Sequence, residues 1–437
     1  MRARVLLLAG LLVLGGCAGA RLPGSDPGDA LTVMGFGLPD EIAKTRVDLF
    51  KKQSGVELAL SEGKLDAQQF LSAVAVKQPP DVVYLERVEI GSYATQGAIQ
   101  PLDACVKERG VDVSAFRRSA LAQSSAGGKL YALPDFNQVN LMIVNNAAAR
   151  AAGVDPAAFA TGDWARLADL AGRLTGRDGG RLTRIGFDPK VPELLPMWAR
   201  AAGVSIVDDR GNPHLDDPGV VEALAATAAM VRAQADWGDY RAFRETFDLF
   251  GAKNPYVVDQ LAAMPIETWY LNVLASTTPD VDITVLPPLD RQGNPYTWAG
   301  GSGWAIPKGA RHPDRACAFI ASMTSVGSWV AAAKARKAGL VAKNKPYTGT
   351  FTGNRLADER IFAEVYEPVR YPAIARGVQV ALDLQDRAFS HLPSPVGAEI
   401  KKAYEAATTR VLLGRQSPRD SLAQAQREAM AALDWRR

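Results

Sequence analysis

Histidine and cysteine are scarce in this chain of 437 residues. The histidines, His214, His312 and His391, lie far apart and form no His-x-x-x-His pair, so the pattern of a common zinc site is missing. The 50 basic and 47 acidic residues leave a formal net charge of +3, without a lysine- and arginine-rich block that would follow a phosphate backbone. The sequence therefore predicts no metal site, no cofactor and no nucleic-acid partner.

Motifs of common catalytic sites are missing as well. The chain contains no Gly-x-Ser-x-Gly, no His-Glu-x-x-His and no Gly-x-x-x-x-Gly-Lys sequence. A secreted glycosidase with two catalytic carboxylates remains an alternative, because such pairs have no fixed spacing along a chain. Our expectation is a binding protein rather than an enzyme.

A single apolar run marks the N-terminus. Val5–Leu14 supplies ten apolar residues behind a basic start, and small residues follow. A permanent membrane helix needs about 20 apolar residues, so this run is too short to span a bilayer. The pattern predicts a signal peptide over residues 1–16 and therefore an exported protein.

The end of this run resembles a bacterial lipobox. Leu14-Gly15-Gly16-Cys17 has the small residues and the cysteine of that motif, which implies that Cys17 is lipidated and becomes the first mature residue. Acyl chains on Cys17 would anchor the protein to a bacterial membrane, facing the periplasm or the cell exterior. Residues 17–29 then form a tether rich in Gly, Pro and Asp. Ordinary signal cleavage next to an incidental cysteine is the alternative.

Two cysteines remain for the folded body. Cys105 and Cys317 are compatible with a disulfide in an oxidising compartment and equally with two separate buried thiols. The sequence leaves both alternatives open.

The first hundred residues after the tether alternate between strand and helix patterns. The predicted elements are a strand at Ala30–Gly35, a helix at Asp40–Gln53, a strand at Val56–Leu60, a helix at Ala67–Val76 and a strand at Asp81–Leu85. This order indicates an α/β fold with a parallel sheet, in which ligands bind beyond the carboxyl ends of strands. Phe36 and Gly37 after the first strand, and Glu86 and Arg87 after the third, are therefore candidate ligand contacts.

A second α/β body follows. The segment 127–145 is interpreted as a crossing between two lobes, and 147–296 carries its own helices, as at Trp164–Leu174, with strands at Ala262–Ile266 and Asp282–Leu286. The glycine-rich segment Ala299–Ile306 starts a return strand. Helical patterns at Pro313–Thr324, Ala398–Leu413 and Pro418–Leu433 complete the chain.

Short sequence pieces spread over most of the mature chain stand in a shared order. They are Phe50–Val56 (FKKQSGV), Pro80–Tyr84 (PDVVY), Gln96–Asp103 (QGAIQPLD), Gly128–Pro134 (GKLYALP), Asn145, Ala152–Val154 (AGV), Ala262–Met264 (AAM) with Trp269, Gly300–Ile306 (GGSGWAI) and Ser417–Leu422 (SPRDSL). In this order the chain resembles the extracellular solute-binding proteins of ABC importers, the carbohydrate-type family that includes maltose-binding protein.

The resemblance implies a two-lobed periplasmic-binding-protein fold of type II, with the ligand in a cleft between lobes joined by a multi-segment hinge. Lobe 1 would comprise residues 30–134 plus 303–346, and lobe 2 residues 135–302 plus 347–437. Hinge crossings are expected near 133–138 and 298–304. The implied role is capture of a small polar solute, namely a sugar, disaccharide or polyol, and its delivery to ABC permease subunits by a monomeric receptor.

A sugar cleft combines aromatic rings with polar side chains, because sugars offer both C–H faces and hydroxyl groups. Trp269 matches a cleft tryptophan of the family, and Gln138 falls where maltose-binding protein has an acidic ligand contact. Packing in a lobe core is the alternative for the tryptophans. The full set of candidate contacts is Phe36, Gly37, Glu86, Arg87, Asp135, Asn137, Gln138, Trp198, Glu267, Trp269, Trp298, Gly301, Ser302, Trp304 and Arg376.

The chain also departs from maltose-binding protein. Leu85 and Val88 stand where that protein has a tryptophan and an aspartate, and its C-terminal cleft tryptophan falls near Val378. A platform for maltodextrin is therefore missing, and the expected ligand is a different sugar or polyol. The same fold binding a non-sugar ligand, or serving as a sensor, remains an alternative.

Overall fold

A computed structural model describes residues 29–160 and 162–436 of the chain. The predicted signal peptide, Cys17 and the tether up to residue 28 lie outside the described residues. The strands are β1 (Leu31–Met34), β2 (Leu58–Ser61), β3 (Val82–Glu86), β4 (Ser125–Ala126), β5 (Lys129–Leu130), β6 (Leu133–Pro134), β7 (Gln138–Asn145), β8 (Gly176–Asp178), β9 (Arg181–Arg184), β10 (Ala263–Glu267), β11 (Ile283–Leu286), β12 (Thr297–Gly300), β13 (Ser302–Ala305) and β14 (Ala388–Phe389).

Helices surround these strands. They are α1 (Glu41–Ser54), α2 (Ala67–Ala75), α3 (Ile90–Thr95), α4 (Asp103–Glu108), α5 (Arg118–Ser124), α6 (Asn146–Ala151), α7 (Trp164–Leu174), α8 (Leu195–Ala201), α9 (Pro218–Arg232), α10 (Trp237–Arg244), α11 (Trp269–Thr277), α12 (Pro313–Thr324), α13 (Val326–Val341), α14 (Arg355–Glu364), α15 (Pro372–Gln385), α16 (Gly397–Leu412) and α17 (Pro418–Arg436).

The first lobe is built on a five-stranded sheet of order β2-β1-β3-β13-β6. β1 pairs in parallel with β2 and β3, as the strand and helix alternation predicts, whereas β13 returns antiparallel to β3. Capping residues mark both ends of α1. Asp40 caps its start by accepting a hydrogen bond from the backbone N–H of Ala43 at 3.0 Å, and Gly55 ends it with a φ of 69°.

The second lobe is built on β7, which runs through the middle of a sheet of order β10-β7-β12-β14 and also pairs with β11. Its eight residues are buried apart from Gln138, which is half-buried. A run of this kind is expected for a strand covered on both faces. Helices α8, α9, α15, α16 and α17 contribute to the same large core.

Several chain segments cross between the lobes, and three of them lie side by side. β6 leads into β7 through 135–137, and β12 leads into β13 through Gly301. The third crossing was not predicted: residues 351–353 run antiparallel to 135–137, with a bridge between Phe136 and Thr352. Gly301 has a φ of 141°, and a Cβ there would lie 2.2 Å from the carbonyl oxygen of Phe136, so this crossing requires glycine.

The chain returns to the first lobe after the third crossing. α14 packs on α13, and its residues Ala357 and Ile361 share a core cluster with Trp329 of α13. The predicted boundary at 346/347 places this helix in lobe 2, because the sequence has no signal for further crossings beyond that point. The packing instead groups residues up to about 364 with the first lobe, and the chain crosses again between α14 and α15.

The remaining cysteines pair in the first lobe. Cys105 on α4 and Cys317 on α12 form a disulfide with a Cα–Cα distance of 5.7 Å, which settles the alternative that the sequence left open. Among the described residues no single helix is long and apolar enough to cross a bilayer. Only the pair α12 and α13, bent by 54°, meets that criterion by length and composition, and both helices contribute to cores of the first lobe.

Candidate functional site

A cavity of about 440 Å³ lies between the two lobes, in the size range of small-molecule sites. The first lobe contributes the turn after β3. The second lobe contributes the ends of β10 and β12, the turn before α8 and the first turns of α16. Its polar and aromatic lining residues are Glu86, Arg87, Glu89, Gln123, Asn140, Glu193, Glu267, Trp298, Ser302, His391, Ser394, Lys401, Tyr404 and Glu405.

The wall on the second lobe has a row of three side chains on neighbouring strands. Glu267 on β10 lies opposite Asn140 on β7, and Asn140 Nδ2 donates to the carbonyl oxygen of Trp298 on β12 at 3.4 Å. Asn140 is buried, and its Oδ1 has no hydrogen-bond partner among the described residues. An unpaired acceptor at the wall of a cavity is a place for a ligand donor, because a buried polar atom without a partner costs free energy.

The cavity wall is rich in carboxylates. Glu86 contacts Lys64 at 2.9 Å and Lys401 at 3.8 Å, and Glu267 contacts Lys190 at 2.6 Å. Burial alone would raise the pKa of Glu86, but the two lysines more than offset it and hold the pKa below its ordinary value. Glu86 is therefore an ionised acceptor whose charge is partly compensated, and Glu267 has a lysine partner of its own.

Glu89 and Glu405 differ from those two, because neither has an ion pair among the described residues. Burial raises the pKa of Glu89, and the neighbouring charge of Glu86 raises it further. Burial also raises the pKa of Glu405, with Glu193 and Glu86 adding to the effect against Lys401. The carboxylates of the two lobes therefore influence one another across the cleft.

His391 stands beside the aromatic part of the wall. Its ring lies edge-on to Trp298 with a centroid distance of 4.3 Å, and its Nε2 is inaccessible and without a hydrogen-bond partner among the described residues. Burial, with a contribution from Arg200, lowers the pKa of His391 to about 3. The imidazole is therefore neutral at physiological pH and adds no cation to the cleft.

Arg87 was predicted as a ligand contact, and the structure places it inside the hinge instead. The side chain is 1% exposed, and its five N–H groups point at protein acceptors. Nε donates to Gln123 Oε1 at 3.0 Å, and Nη2 donates to Asn137 Oδ1 at 2.8 Å and to the carbonyl oxygen of Gly300 at 2.7 Å. Nη1 donates to the carbonyl oxygens of Phe136 and Ser302. With its donors used, Arg87 positions the crossings rather than the ligand.

Asp135 and Asn137 are fully buried in the first crossing, so their prediction as ligand contacts is also wrong for this conformation. Asp135 pairs with Arg46 at 2.5 Å and accepts from the hydroxyl of Tyr84 at 3.0 Å. Asn137 accepts from Arg87, and its Nδ2 donates to Gln385 Oε1 at 2.7 Å. Both side chains therefore join elements of the protein to each other.

Three aromatic candidates lie in the lobe cores. Trp304 is fully buried and packs against Phe36 with a centroid distance of 4.7 Å, so both belong to the core of the first lobe. Trp198 is buried in the second lobe, where its Nε1 donates to the carbonyl oxygen of Pro189 at 2.9 Å. These three side chains therefore pack in a lobe core, which was the alternative to ligand contact. A side chain that faces the interior of a lobe cannot also face the cleft.

Gln138 and Trp269 line a smaller cavity of about 320 Å³ on the other side of the crossings, together with Asp40 and Arg336. Trp269 stacks on Phe250 with a centroid distance of 5.3 Å. Gln138 accepts a hydrogen bond from Thr268 Oγ1. Both are separated from the main cavity in this conformation.

Gly37 and Arg376 line neither cavity. Gly37 is half-buried beside Glu62 at the end of β1. Arg376 is exposed on α15, whose inner face, including Val378, packs in the core of the second lobe. α16, rather than α15, contributes residues to the wall of the main cavity.

Comparison with known families agrees with this architecture. Residues 45–344, more than two thirds of the chain, match the model of a family described as bacterial extracellular solute-binding protein. The chain belongs to this family.

Solved structures share the fold of this solute-binding protein over nearly its whole length. CpMnBP1 with mannotriose bound is 24% identical, with 92% of this chain and 100% of that chain covered and a TM-score of 0.73. An ABC transporter solute-binding protein from Thermotoga lettingae bound with α-D-tagatose is 18% identical, with 93% and 100% covered and a TM-score of 0.69. UgpB from Mycobacterium tuberculosis, in complex with glycerophosphocholine, is 19% identical, with 94% and 99% covered and a TM-score of 0.70.

Six of the predicted contacts of this solute-binding protein line the main cavity: Glu86, Arg87, Glu267, Trp298, Gly301 and Ser302. Their role in binding stays a prediction. The residues that sequence reasoning missed are Glu89, Asn140, Glu193, His391, Lys401 and Glu405. The spacing of Lys401 and Glu405 by four positions on a predicted helix was the available signal, because such residues share one helix face.

Proposed function

We propose that this protein is the receptor subunit of an ABC importer and that it captures a small sugar, disaccharide or polyol in the cleft between its lobes. The observation that carries the proposal is the 440 Å³ cavity, whose wall combines the half-buried ring of Trp298 with carboxylates and an unpaired amide oxygen. Aromatic faces pack on sugar C–H groups and acceptors bind hydroxyls, which is the combination that a sugar site needs.

The lobes and hinge supply the transport step in this proposal. The only covalent links between the lobes among the described residues are narrow crossings, so small backbone changes there would turn one lobe against the other. A ligand that contacts both walls favours the closed form, since it binds that form better. Permease subunits would then recognise the closed, loaded receptor.

Export and anchoring belong to the same proposal. The disulfide between Cys105 and Cys317 fits an oxidising compartment outside the cytoplasm. The apolar run before Cys17 and the lipobox-like sequence support a lipid anchor at a bacterial membrane. We expect a monomer, because one chain already forms both walls of the cavity.

Sugars in solved structures of the same fold support the ligand class. CpMnBP1 was solved with mannotriose and the Thermotoga lettingae protein with tagatose. The glycerophosphocholine complex of UgpB shows that the fold also accepts a charged polyol derivative. We expect binding without turnover, so incubation with oligosaccharides should yield no hydrolysis product; release of product would favour the glycosidase alternative.

A thermal-shift screen of the purified protein over sugars and polyols tests the proposal. A ligand that binds only the folded state raises Tm. At a free ligand concentration of a hundred times Kd, the ligand adds about 2.7 kcal/mol to the free energy of unfolding. The sugar that raises Tm should bind at least tenfold more weakly to Trp298→Ala than to the parent protein. Its affinity for the control Trp435→Ala should equal that for the parent protein, since Trp435 is 86% exposed at the end of α17. Stabilisation by inorganic phosphate or sulfate but by no sugar would contradict the carbohydrate function.

A further inference from the structure

The carboxylates of the cavity stand on both of its walls. Glu86 and Glu89 come from the first lobe, and Glu193, Glu267 and Glu405 come from the second. Against these five, the cavity lining contains two cations, Arg87 and Lys401. Because Arg87 has its five donors occupied inside the hinge, it offers none to a ligand.

Only some of these carboxylates form an ion pair with a lysine or arginine. Glu86 contacts Lys64 and Lys401, Glu267 contacts Lys190, and Glu193 contacts Arg244 at 3.4 Å. Glu89 and Glu405, one from each wall, have no ion pair among the described residues. Within the described part of the chain, the cleft therefore has a carboxyl group without an ion-pair partner on each of its two walls.

The unpaired Oδ1 of Asn140 is a second, independent feature of the same cavity. Like the carboxylates, it can only accept hydrogen bonds. Its side chain is 1% exposed, so bulk water does not satisfy it. The cavity wall therefore offers a further acceptor beside its carboxylates.

We infer that the cleft selects solutes that carry a protonated amino group, such as an amino sugar or an amino-substituted glycoside, over their neutral counterparts. This inference rests on the proposed function and narrows its ligand class. A neutral sugar hydroxyl both donates and accepts, whereas an ammonium group only donates and brings a charge that carboxylates bind strongly. The face of Trp298 can add an attraction between the cation and its ring.

The same charges regulate closure. Closing the lobes brings the first-lobe carboxylates toward those of the second lobe, and like charges repel more strongly as water is expelled. A bound ammonium removes this repulsion because it lies between them. An amino-bearing ligand that contacts the carboxylates of both walls therefore favours the closed form.

Matched pairs of ligands test this inference with the intact folded protein. The probes are glucosamine against glucose, galactosamine against galactose, mannosamine against mannose and chitosan disaccharide against cellobiose, each followed by thermal shift and titration calorimetry. In at least one pair the amino member should bind ten times more tightly or better than its neutral partner. This advantage should shrink when NaCl is raised from 50 to 500 mM, because salt screens charges that water can reach.

Substitutions locate the effect. Glu89→Gln and Glu405→Gln should each reduce the advantage of the amino member about tenfold, because they weaken binding of the amino member far more than binding of the neutral member. Glu108→Gln removes the same charge from an exposed position at the end of α4 and should change neither affinity. Unchanged circular dichroism and Tm of the free variants would show that both remain folded.

The outcomes separate this inference from the function on which it rests. If neutral members raise Tm as much as their amino partners, selection for the amino group is contradicted while sugar capture stands. If an amino member binds more tightly than its neutral partner, but Glu89→Gln and Glu405→Gln show the same ratio of affinities as the parent protein, the carboxylates do not cause the preference. The inference is then contradicted. If no member of any pair raises Tm, sugar capture itself is contradicted together with the inference.

Discussion

Arg87 Nη2 lies 2.8 Å from Asn137 Oδ1, and through this contact one guanidinium joins the first crossing to the end of β3. The same group also donates to the carbonyl oxygen of Gly300 in the second crossing. Burial lowers the pKa of Arg87 to about 10, so the side chain remains protonated at neutral pH. One buried cation thus organises two of the segments on which the lobes turn.

Replacing this cation should destabilise the protein strongly. Arg87→Met leaves the acceptors of Gln123, Asn137 and Gly300 buried without a donor, and we expect a loss of about 3 kcal/mol in the free energy of unfolding. Urea denaturation measures the change. The control Arg118→Met, at an exposed position on the neighbouring helix, should stay within about 0.5 kcal/mol of the parent protein. Equal effects of the two substitutions would contradict the role given to Arg87.

The buried pair of Arg46 and Asp135 predicts a coupled response. Both side chains are fully buried, and Arg46 also lies 3.8 Å from the ring centre of Trp329. Arg46→Met leaves the Asp135 carboxylate without its cation and should cost about 3 to 5 kcal/mol. The double variant Arg46→Met with Asp135→Leu should cost less than the sum of the single changes, because neither buried charge then remains unpaired. If the losses in the free energy of unfolding are additive in this double-mutant cycle, the two side chains are not energetically coupled.

Reduction of the disulfide should lower the stability of the first lobe. Cys105 and Cys317 are 212 positions apart, so their bond removes much freedom from the unfolded chain, and losing it should cost about 2 to 4 kcal/mol. Dithiothreitol should lower the Tm of the parent protein. It should leave the double variant Cys105→Ser with Cys317→Ser unchanged. A parent Tm that is insensitive to the reductant, with free thiols demonstrated, would count against the bond's contribution.

His391 should make stability depend on pH in a defined direction. Its pKa is about 3 in the folded protein and about 6.5 when unfolded, so between these values the unfolded chain binds the proton more readily. Stability should therefore fall as pH is lowered from 6.5 toward 3, by up to about 1.4 kcal/mol per pH unit from this group. His391→Gln should flatten the curve over that interval. Parallel curves for the parent and His391→Gln would show that the imidazole is not held neutral.

The local part of the fold is accessible from the sequence. The elements from β1 to β3 were predicted within about three residues at each end, because the alternation of buried positions and the signals at Asp40 and Gly55 act over short distances. The ordered pieces of the solute-binding family added the two lobes and the first two crossings. The third crossing at 351–353 was missed, since its pairing with 135–137 joins segments that are far apart in the chain.

The candidate site was harder to predict from the sequence, because it too depends on contacts between residues that are far apart in the chain. Asp135 follows a predicted crossing just as a ligand contact would, but Arg46, 89 positions earlier, turns it into a buried partner. No local pattern distinguishes these two roles. The cavity residues of α16 were missed because α15 has a similar amphipathic pattern, and only tertiary packing decides which helix faces the cleft.

Small-angle X-ray scattering of the purified protein, with and without a sugar whose binding calorimetry has established, tests capture between the lobes most directly. We expect the radius of gyration to decrease and to reach its limit at the same ligand concentration as binding. We also expect Trp298→Ala to shift both curves together to higher ligand concentration. A sugar that binds at full stoichiometry to the parent protein and equally well to Trp298→Ala, with an unchanged scattering curve, would contradict capture between the lobes.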